Sequence, residues 1–412
     1  MTAGAAGPAE RRRPGRTLRR RFGRAIFAAL LGIAAAHPAV ATDATEVRVA
    51  VPLPAAHPVV SGGWHAFQEA AAADGRAGLK FRLFVNGAMI GWERTLKGLS
   101  QGEADMGFLA PADYPDEFPH AAFLTALSMS GRDGLAAAAA VTELVLLHCQ
   151  PCRDEFARKN LVFLGTYSAA PYLLISKQPL TGARSLADRT VWTPGTLWDN
   201  WVREMGAAPL QDGRDADMAL SKGSADVVID VAIALRQPQL AKQARVVTTL
   251  PLGAYRGASP FTANRDFWRQ LSVAQRSALL AAAPVGLVAA TAAYEQQARE
   301  AVEAARRSGV TVAAPDAELL AQADRFAEES AARVAANAEA YFGVGDAGRL
   351  LQTYRALYAK YSGLLEAAGD APAMAAILAR EAFAKANPVA YGVEDASIAE
   401  DAGPASATEV TR

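Results

Sequence analysis

The segment 185–206 (SLADRTVWTPGTLWDNWVREMG) combines aromatic and amide side chains with the pattern of a strand, a turn and a helix. The run 190–192 favours a β-strand, Pro-Gly follows as a turn, and apolar residues then recur at helical spacing. In α/β proteins, ligands bind beyond the carboxyl ends of strands, where helix N-termini present free N–H groups. We therefore expect Trp192, Trp198 and Asn200 to line a small-molecule site, although tryptophans at this spacing also fit a buried core.

The two cysteines of the chain, Cys149 and Cys152, form a C-x-x-C motif. In the cytosol this spacing indicates redox chemistry or half of a metal site, whereas in an oxidising compartment it favours a structural disulfide. Zinc would need further Cys or His ligands, and only His148 is close in sequence. We expect a Cys149–Cys152 disulfide, with redox or metal chemistry as the alternative.

The sequence lacks the motifs of common enzymes. It contains no G-x-S-x-G, no H-E-x-x-H and no P-loop, and its five histidines are not clustered. No nucleophile, base and orienting acid stand out at useful spacing. We therefore expect a protein that is not an enzyme and that needs no cofactor or metal.

The N-terminus reads as an export signal. Arginines extend to Arg24, an apolar run covers 25–36, and Ala39-Val40-Ala41 offers a small-x-small cleavage site. The Arg-Arg pairs at 19–21 hint at twin-arginine export, which stays an open alternative to the general route. We expect cleavage near Ala41 and a mature protein that is soluble in the periplasm.

Charge is distributed unevenly along the chain. The first 41 residues hold eight arginines and one glutamate, a net of +7, which leaves 34 basic and 41 acidic residues, a net of −7, in the remainder. A mildly acidic body argues against nucleic acid as a partner.

The elements that must position the site alternate between strands and helices. Strands predicted at 46–52, 79–85 and 106–109, with helices between them, indicate a parallel sheet with right-handed crossovers. Further strands are predicted at 161–165, 172–176, 227–229, 245–250 and 309–313. The sequence G-x-A-D occurs at 102–105 and 223–226, each time before a buried strand, which favours two similar lobes.

Helices dominate the last third of the chain. Periodicity predicts a helix at 263–282, a second at 284–307, and further long helices at 315–365. The region after 368 has weak periodicity, and we expect disorder from 393 onward.

Several short phrases occur in order between about residue 48 and residue 360. They are His-Pro after the first strand (57–58), Asn-Gly after the second (84–87), G-x-x-D before two strands (102–105 and 219–226), S-K-x-P-L (176–180), a strand followed by T-P-G (185–195) and G-A-x-P (206–209). Together they resemble the extracytoplasmic solute-binding proteins of tripartite ATP-independent periplasmic (TRAP) transporters, of the dicarboxylate-binding-protein (DctP-like) type.

The resemblance implies an α/β fold with two lobes, the type II-like Venus flytrap, with mixed sheets and long bracing helices. It implies closure around one small organic solute, which is delivered to the TRAP membrane permease without ATP hydrolysis. We expect a monomer, with a dimer as the alternative. The expected parts are the export signal (1–41), lobe I (42–165 plus about 250–300), lobe II (166–249 plus about 308–315), bracing helices (316–392) and a disordered tail (393–412).

The chain departs from the family at the solute-binding positions. Where the family has an arginine that pairs with the solute's carboxylate, this sequence has Trp192. A second position that can carry arginine is Tyr172, and a position that is usually an amide is Asp230. One interpretation is an amine, aromatic or neutral solute held by Trp192, Tyr172 and Asp230 as an aromatic and anionic cage.

The other interpretation keeps a carboxylate or dicarboxylate solute and assigns the positive charge to Arg256 or Arg94. Further candidates for the site are His57, Asn86, Tyr114, Tyr167, Trp198 and Asn200. Besides the transport subunit, a solute-binding protein that reports to a sensor kinase, an enzyme on the same scaffold and a C-x-x-C redox protein remain as alternatives.

Overall fold

The computed structural model describes residues 44–394, except 74, 76, 181 and 211–214. The predicted export signal and most of the predicted tail lie outside the described residues. The strands are β1 (Thr45–Ala50), β2 (Leu79–Phe84), β3 (Met106–Leu109), β4 (Leu161–Val162), β5 (Tyr172–Ser176), β6 (Thr190–Trp192), β7 (Ala208–Leu210), β8 (Val227–Val231), β9 (Val246–Thr248), β10 (Ser259–Asn264) and β11 (Thr311–Ala313). The helices are α1 (His65–Ala72), α2 (Thr95–Ser100), α3 (Pro119–Ala126), α4 (Gly134–Glu143), α5 (Gln150–Arg158), α6 (Thr196–Glu204), α7 (Ala216–Lys222), α8 (Pro238–Gln243), α9 (Arg265–Gln270), α10 (Val273–Arg307), α11 (Ala317–Ala336), α12 (Ala338–Phe342), α13 (Ala347–Glu366) and α14 (Ala371–Glu381).

The first sheet has five strands in the order β2-β1-β3-β10-β4. Strands β1, β2 and β3 are parallel, as the strand–helix–strand order predicts, and β10 runs antiparallel between β3 and β4. The prediction of a helix from residue 263 was wrong, because β10 occupies Ser259–Asn264. All of β10 is buried, so it lacks the alternation that marks a half-exposed strand, and Pro260 adds a signal against a strand.

The second sheet has six strands in the order β11-β9-β5-β8-β6-β7. Strands β6 and β8 are parallel, while β5 is antiparallel to both β8 and β9. Side chains alternate between its two faces. One face packs a cluster that includes Leu174 and Val191, and the other packs a cluster that includes Ile175 and Val228.

Two extended segments, 163–171 and 249–258, join the sheets, and we call them the crossing segments. They lie side by side, since the Ala169 N–H donates to the Tyr255 carbonyl at 3.0 Å and the Tyr172 N–H to the Gly253 carbonyl at 2.8 Å. They meet the second sheet at the edge where β6 and β8 end, and the first sheet at the edge where β3 ends. The carboxyl-terminal edges of the parallel strands in the two sheets therefore face each other.

Helix α10 packs on both halves of the fold. It contacts α1 beside the first sheet, and Ala298 and Val302 pack on the apolar cluster of the second sheet. The predicted break at Pro284 was wrong, because the helix is continuous from Val273 to Arg307 with Pro284 buried inside it. Length and composition alone would let α10 cross a membrane, yet 56% of its most apolar stretch is buried, as in the core helix of a globular protein.

Helices α13 and α14 pack on the first sheet's half, whereas Leu319 and Phe326 of α11 join the cluster of the second sheet. The buried carboxylate of Glu143 in α4 accepts hydrogen bonds from Lys360 and from the Tyr361 hydroxyl in α13. Helix α14 lies within 316–392, where bracing helices were predicted, although its alanine-rich sequence carries little periodicity of its own. Disorder was predicted from residue 393, but Arg269 and Arg265 donate to the carbonyls of residues 393 and 394 at 3.1 and 2.7 Å.

The disulfide predicted between Cys149 and Cys152 is present. Both cysteines are buried, and the Cys149 sulfur accepts a hydrogen bond from the Cys152 N–H at 3.1 Å, at the start of α5. The bridge spans the first turn of α5, which follows the helical segment that ends at His148.

We predict that Gly253→Ala strongly destabilises the protein. Gly253 has a φ of +78°, and an added Cβ would lie 2.2 Å from the Ser128 carbonyl oxygen, inside the crossing segments. The free energy of unfolding in urea should fall by about 3 kcal/mol or more.

Gly309→Ala is the matched control, since Gly309 has a φ of +90° and no atom near the added Cβ. It should cost only about 1 to 2 kcal/mol, the conformational part of the effect. Equal losses in the two variants would mean that the crossing segments tolerate the clash.

Candidate functional site

Groups from the second sheet and from a crossing segment meet near the facing strand edges. Tyr172 starts β5, Asp230 precedes the end of β8, and Tyr255 lies on the second crossing segment. Each of the three is desolvated by surrounding protein, yet each keeps part of its surface accessible to water. We call the space that they line the crevice.

Asp230 is the chemically distinctive group of the crevice. Its Oδ1 accepts a hydrogen bond from the Val231 N–H at 2.7 Å. Within the described part of the chain it forms no ion pair with a lysine, arginine or histidine. Burial raises the pKa of Asp230 to about 7, since a desolvated carboxyl resists ionisation.

Trp192 and Tyr172 lie at the same edge of the second sheet as Asp230, but their rings pack on opposite faces. Trp192 is half-buried against the cluster that includes Val228, whereas Tyr172 packs with the cluster that includes Leu174. The period-2 alternation of strands separates the two rings. By the same alternation Asp230 lies on the face of Trp192, since Trp192 pairs with Val228, two residues before Asp230. The structure therefore corrects the predicted three-residue cage, because the sheet separates Tyr172 from the other two members.

Trp198 packs against the ring of Tyr172. The two rings are tilted by 55° with centroids 4.6 Å apart, and the Trp198 indole N–H donates to the Leu252 carbonyl at 2.9 Å. Trp198 is buried, with 7% of its surface exposed, so its own ring has little room for a ligand. Burial, with the nearby charge of Asp230, raises the pKa of the Tyr172 hydroxyl, which is therefore neutral and can donate.

Tyr167, on the first crossing segment, and Tyr294, in α10, form a further pair of aromatic side chains. Their rings stack with centroids 5.6 Å apart, and burial raises the pKa of both hydroxyls, that of Tyr294 to about 12. Tyr294 and Tyr255 were missed by sequence reasoning. They come from α10 and an extended segment, and no local pattern links either residue to a strand end.

His57 binds Tyr294 and stays neutral. Its Nδ1 accepts a hydrogen bond from the Val59 N–H at 3.3 Å, so the proton lies on Nε2, which faces the Tyr294 hydroxyl at 2.9 Å. Burial lowers the pKa of His57 to about 4, because the charged imidazolium would be desolvated. His57 thus supplies a hydrogen bond rather than a positive charge.

The first sheet contributes groups that follow β2 and β3. The exposed Trp92 indole donates to the Asp113 carboxylate at 3.1 Å, and the Tyr114 hydroxyl lies 3.3 Å from the Thr95 hydroxyl. Asn86 is exposed in the turn after β2, with a φ of +56°. Trp92 and Asp113 were not predicted, although both follow strand ends.

Three predicted candidates are engaged elsewhere. Arg256 is buried, and its guanidinium donates to the Leu127 carbonyl at 2.9 Å and to other carbonyls of the 127–130 loop. Arg94 pairs with Glu103 at 2.7 Å on the surface. Asn200 is exposed and accepts from Arg203 at 3.1 Å within α6, because the helical turn points it away from the buried face. The structure therefore does not support these side chains as ligand groups.

Two cavities are lined by groups other than Asp230 and Tyr255. One of about 280 Å³ borders α5 and the C-terminal segment, and an apolar one of about 440 Å³ lies between β5 and α10. The second is bordered by Tyr172 and the crossing segments, but not by Asp230. We place the candidate site in the crevice because its carboxyl and tyrosine groups can bind a polar solute. Among the described residues, no group of three or more His, Cys, Asp or Glu side chains is placed to hold a metal ion.

The family comparison covers most of the chain. The sequence model of the family described as bacterial extracellular solute-binding protein, family 7 (DctP), matches residues 50–337. None of the curated proteins compared with the chain matches it.

Solved TRAP periplasmic solute-binding proteins share the fold. One from Desulfovibrio salexigens is 18% identical, with a TM-score of 0.65 over 78% of this chain and 97% of its own. One from Bordetella bronchiseptica, with bound (R)- and (S)-mandelate, is 22% identical, with a TM-score of 0.60 over 77% and 99%. A marine metagenome protein specific for aromatic acid ligands, in complex with 3-hydroxybenzoate, is 18% identical, with a TM-score of 0.64 over 77% and 98%.

We predict that Asp230→Asn stabilises the ligand-free protein at high pH only. The folded pKa of about 7 exceeds the ordinary 3.8, so the folded state holds the proton more tightly than the unfolded chain. Asp230 therefore costs stability progressively as the pH rises from 4 to 7, and the whole cost is present above pH 7. The variant should exceed the parent by roughly 2 to 4 kcal/mol at pH 8 and match it near pH 4.

Urea unfolding from pH 4 to 8 measures this difference. Glu366→Gln, at an exposed acid, is the control and should show no comparable trend. An Asp230→Asn variant that is less stable than the parent at pH 8 would contradict the assignment.

Proposed function

Because the chain belongs to the bacterial extracellular solute-binding protein family 7, we propose that it is the extracytoplasmic solute-binding subunit of a TRAP transporter. The family consists of solute-binding proteins rather than enzymes. In this role the protein works in the periplasm after removal of the export signal near Ala41. It captures one small organic solute and delivers it to the TRAP permease subunits in the membrane.

The crevice is the observation that carries this proposal. It lies between strand edges of two sheets, at the carboxyl ends of parallel strands, which is where α/β folds bind ligands. Tyr172 and Asp230 line it from the second sheet, and Tyr255 lines it from a crossing segment. A solute that touched both sides would hold the two halves together, and such closure is the signal that a permease can recognise.

The sheet composition supports the proposed lobes. Strands β1 to β4 and β10 form one sheet, and β5 to β9 and β11 form the other. We propose lobe I as 42–165 plus about 250–300 and lobe II as 166–249 plus about 308–315, braced by 316–392. The crossing segments would then act as the hinge, with the mature protein working as a monomer.

The charge of the crevice favours a solute with a donor group. The resemblance places Trp192 where the family usually has an arginine, and Asp230 lacks a basic partner within the described residues. An amine would pair with the Asp230 carboxylate, and tyrosine rings suit a cation or an aromatic solute. We therefore propose an amine, aromatic or neutral solute.

A carboxylate solute is the second candidate, and the related structures with mandelate and 3-hydroxybenzoate favour it. In that case Asp230 would bind in its protonated form and donate to the solute, as its raised pKa permits. The engagement of Arg256 and Arg94 by other groups argues against either as its counter-charge. A receptor that presents its solute to a sensor kinase would use the same crevice, and adjacent permease genes would favour transport.

We predict that Asp230→Asn weakens binding of the native solute by about tenfold or more, because the solute loses a charged or hydrogen-bonded anchor. A thermal-shift screen over amines, aromatic acids, keto acids, dicarboxylates and sugar acids identifies the solute, since a bound ligand raises the melting temperature. Calorimetry with that solute then compares Asp230→Asn with Trp192→Ala, for which we expect a loss of one to several kcal/mol, about five- to a hundredfold or more.

Glu366→Gln changes the net charge equally at a distant, exposed position and should leave affinity unchanged. Full affinity in both Asp230→Asn and Trp192→Ala would remove the crevice as the site. Failure of every solute class to stabilise the protein would count against the receptor function itself.

A further inference from the structure

A third cavity, of about 30 Å³, lies between α5 and the first-sheet end of the second crossing segment. Glu155 of α5 borders it, together with Arg256 of the crossing segment and Ser259, the first residue of β10. All three are buried, and so is nearly every other residue of the wall, which is mostly apolar. None of the three groups that define the crevice borders this cavity, so it is a separate space in the interior of the protein.

Each of these three side chains has one buried polar atom without a hydrogen-bond partner in the part of the chain that the structure describes. These atoms are Glu155 Oε2, Arg256 Nε and Ser259 Oγ. The rest of the two charged groups is engaged. Glu155 Oε1 accepts from the His120 backbone N–H at 3.0 Å and contacts the His120 ring, while the terminal nitrogens of Arg256 donate to carbonyls of the 127–130 loop. A buried polar atom that binds nothing destabilises a fold, so three around one cavity indicate a shared partner.

Water has the hydrogen-bonding capacity and the size that this cavity requires. A carboxylate oxygen accepts, a guanidinium N–H donates, and a hydroxyl can do either. One water molecule could therefore donate to Glu155 Oε2 and Ser259 Oγ and accept from the Arg256 Nε–H. Buried waters form about three hydrogen bonds, and a cavity of this volume has room for about two of them. A metal ion fits less well, because the buried charge of Arg256 would repel it.

The charges around the cavity also favour a bridge. Arg256 forms no ion pair with an aspartate or glutamate among the described residues, whereas Glu155 places a carboxylate on the wall of the same cavity. A water that bonds to both groups satisfies them at little cost in free energy compared with a direct contact. We propose that ordered water in this cavity bridges Glu155 to Arg256 and Ser259. The bridge anchors the first-sheet end of the second crossing segment to α5.

A crystal structure of the mature full chain, at a resolution that shows ordered water, tests the proposal directly. We expect a water within hydrogen-bond distance of Glu155 Oε2 and of Arg256 Nε or Ser259 Oγ. Crystals pressurised with xenon provide the complementary measurement, because a dry apolar cavity takes up xenon and a hydrated polar one does not. Xenon in this cavity, or a cavity without ordered water, would overturn the inference.

Urea unfolding of Ser259→Ala provides a test in solution. The variant should raise the equilibrium constant for unfolding about two- to tenfold, because the bridging water loses one hydrogen bond. Ser128→Ala is the matched control, since Ser128 is equally buried and its hydroxyl also has no partner among the described residues, but it does not border the cavity. The control should leave the constant unchanged or lower it. If Ser259→Ala is no less stable than Ser128→Ala, Ser259 is not part of a water bridge and the inference fails.

Discussion

The paired crossing segments are the constraint on which the site depends. Their mutual hydrogen bonds, such as that from the Ala169 N–H to the Tyr255 carbonyl, fix which edges of the two sheets face each other. Because the segments leave both sheets at the ends of parallel strands, residues distant in sequence meet in one crevice. Gly253 enables the arrangement by passing close to the Ser128 carbonyl, where a side chain would not fit. The chain topology therefore determines the position of the site, whichever side chains line it.

Asp230, the second constraint on the site, is a carboxyl group in an environment that disfavours its charged form. Asp230 is desolvated and has no cationic partner in the part of the chain that the structure describes. An unpaired buried acid lowers the stability of the ligand-free protein at neutral pH. A sufficiently stable fold tolerates this loss of stability when the group is needed for binding. A ligand that pairs with the acid stabilises the folded protein again. The surrounding tyrosines stay neutral and offer rings and hydroxyls rather than charge.

Much of the fold and part of the site could be predicted from sequence. Strand β6, its turn and α6 are encoded locally, and the family phrases gave the two-sheet architecture. The face on which Trp192 packs could not be predicted, because it depends on the register of β6 against β8. Tyr255, Tyr294 and Asp113 were missed because only the tertiary fold brings Tyr294 and Asp113 near Tyr255. The sequence suggested Arg256 as the positive charge that pairs with a solute. Only the tertiary structure shows that its guanidinium is buried among backbone carbonyls.

The central claim is that a solute meets Asp230 in the crevice as an ionised partner. Calorimetry of the native solute from pH 6 to 8, in buffers of different ionisation enthalpy, measures the protons exchanged on binding. The account predicts proton release and tighter binding as the pH rises, because pairing with a cation lowers the pKa of Asp230 from about 7. Both effects should vanish in Asp230→Asn. Binding without proton exchange, or binding that weakens as the pH rises, would contradict it.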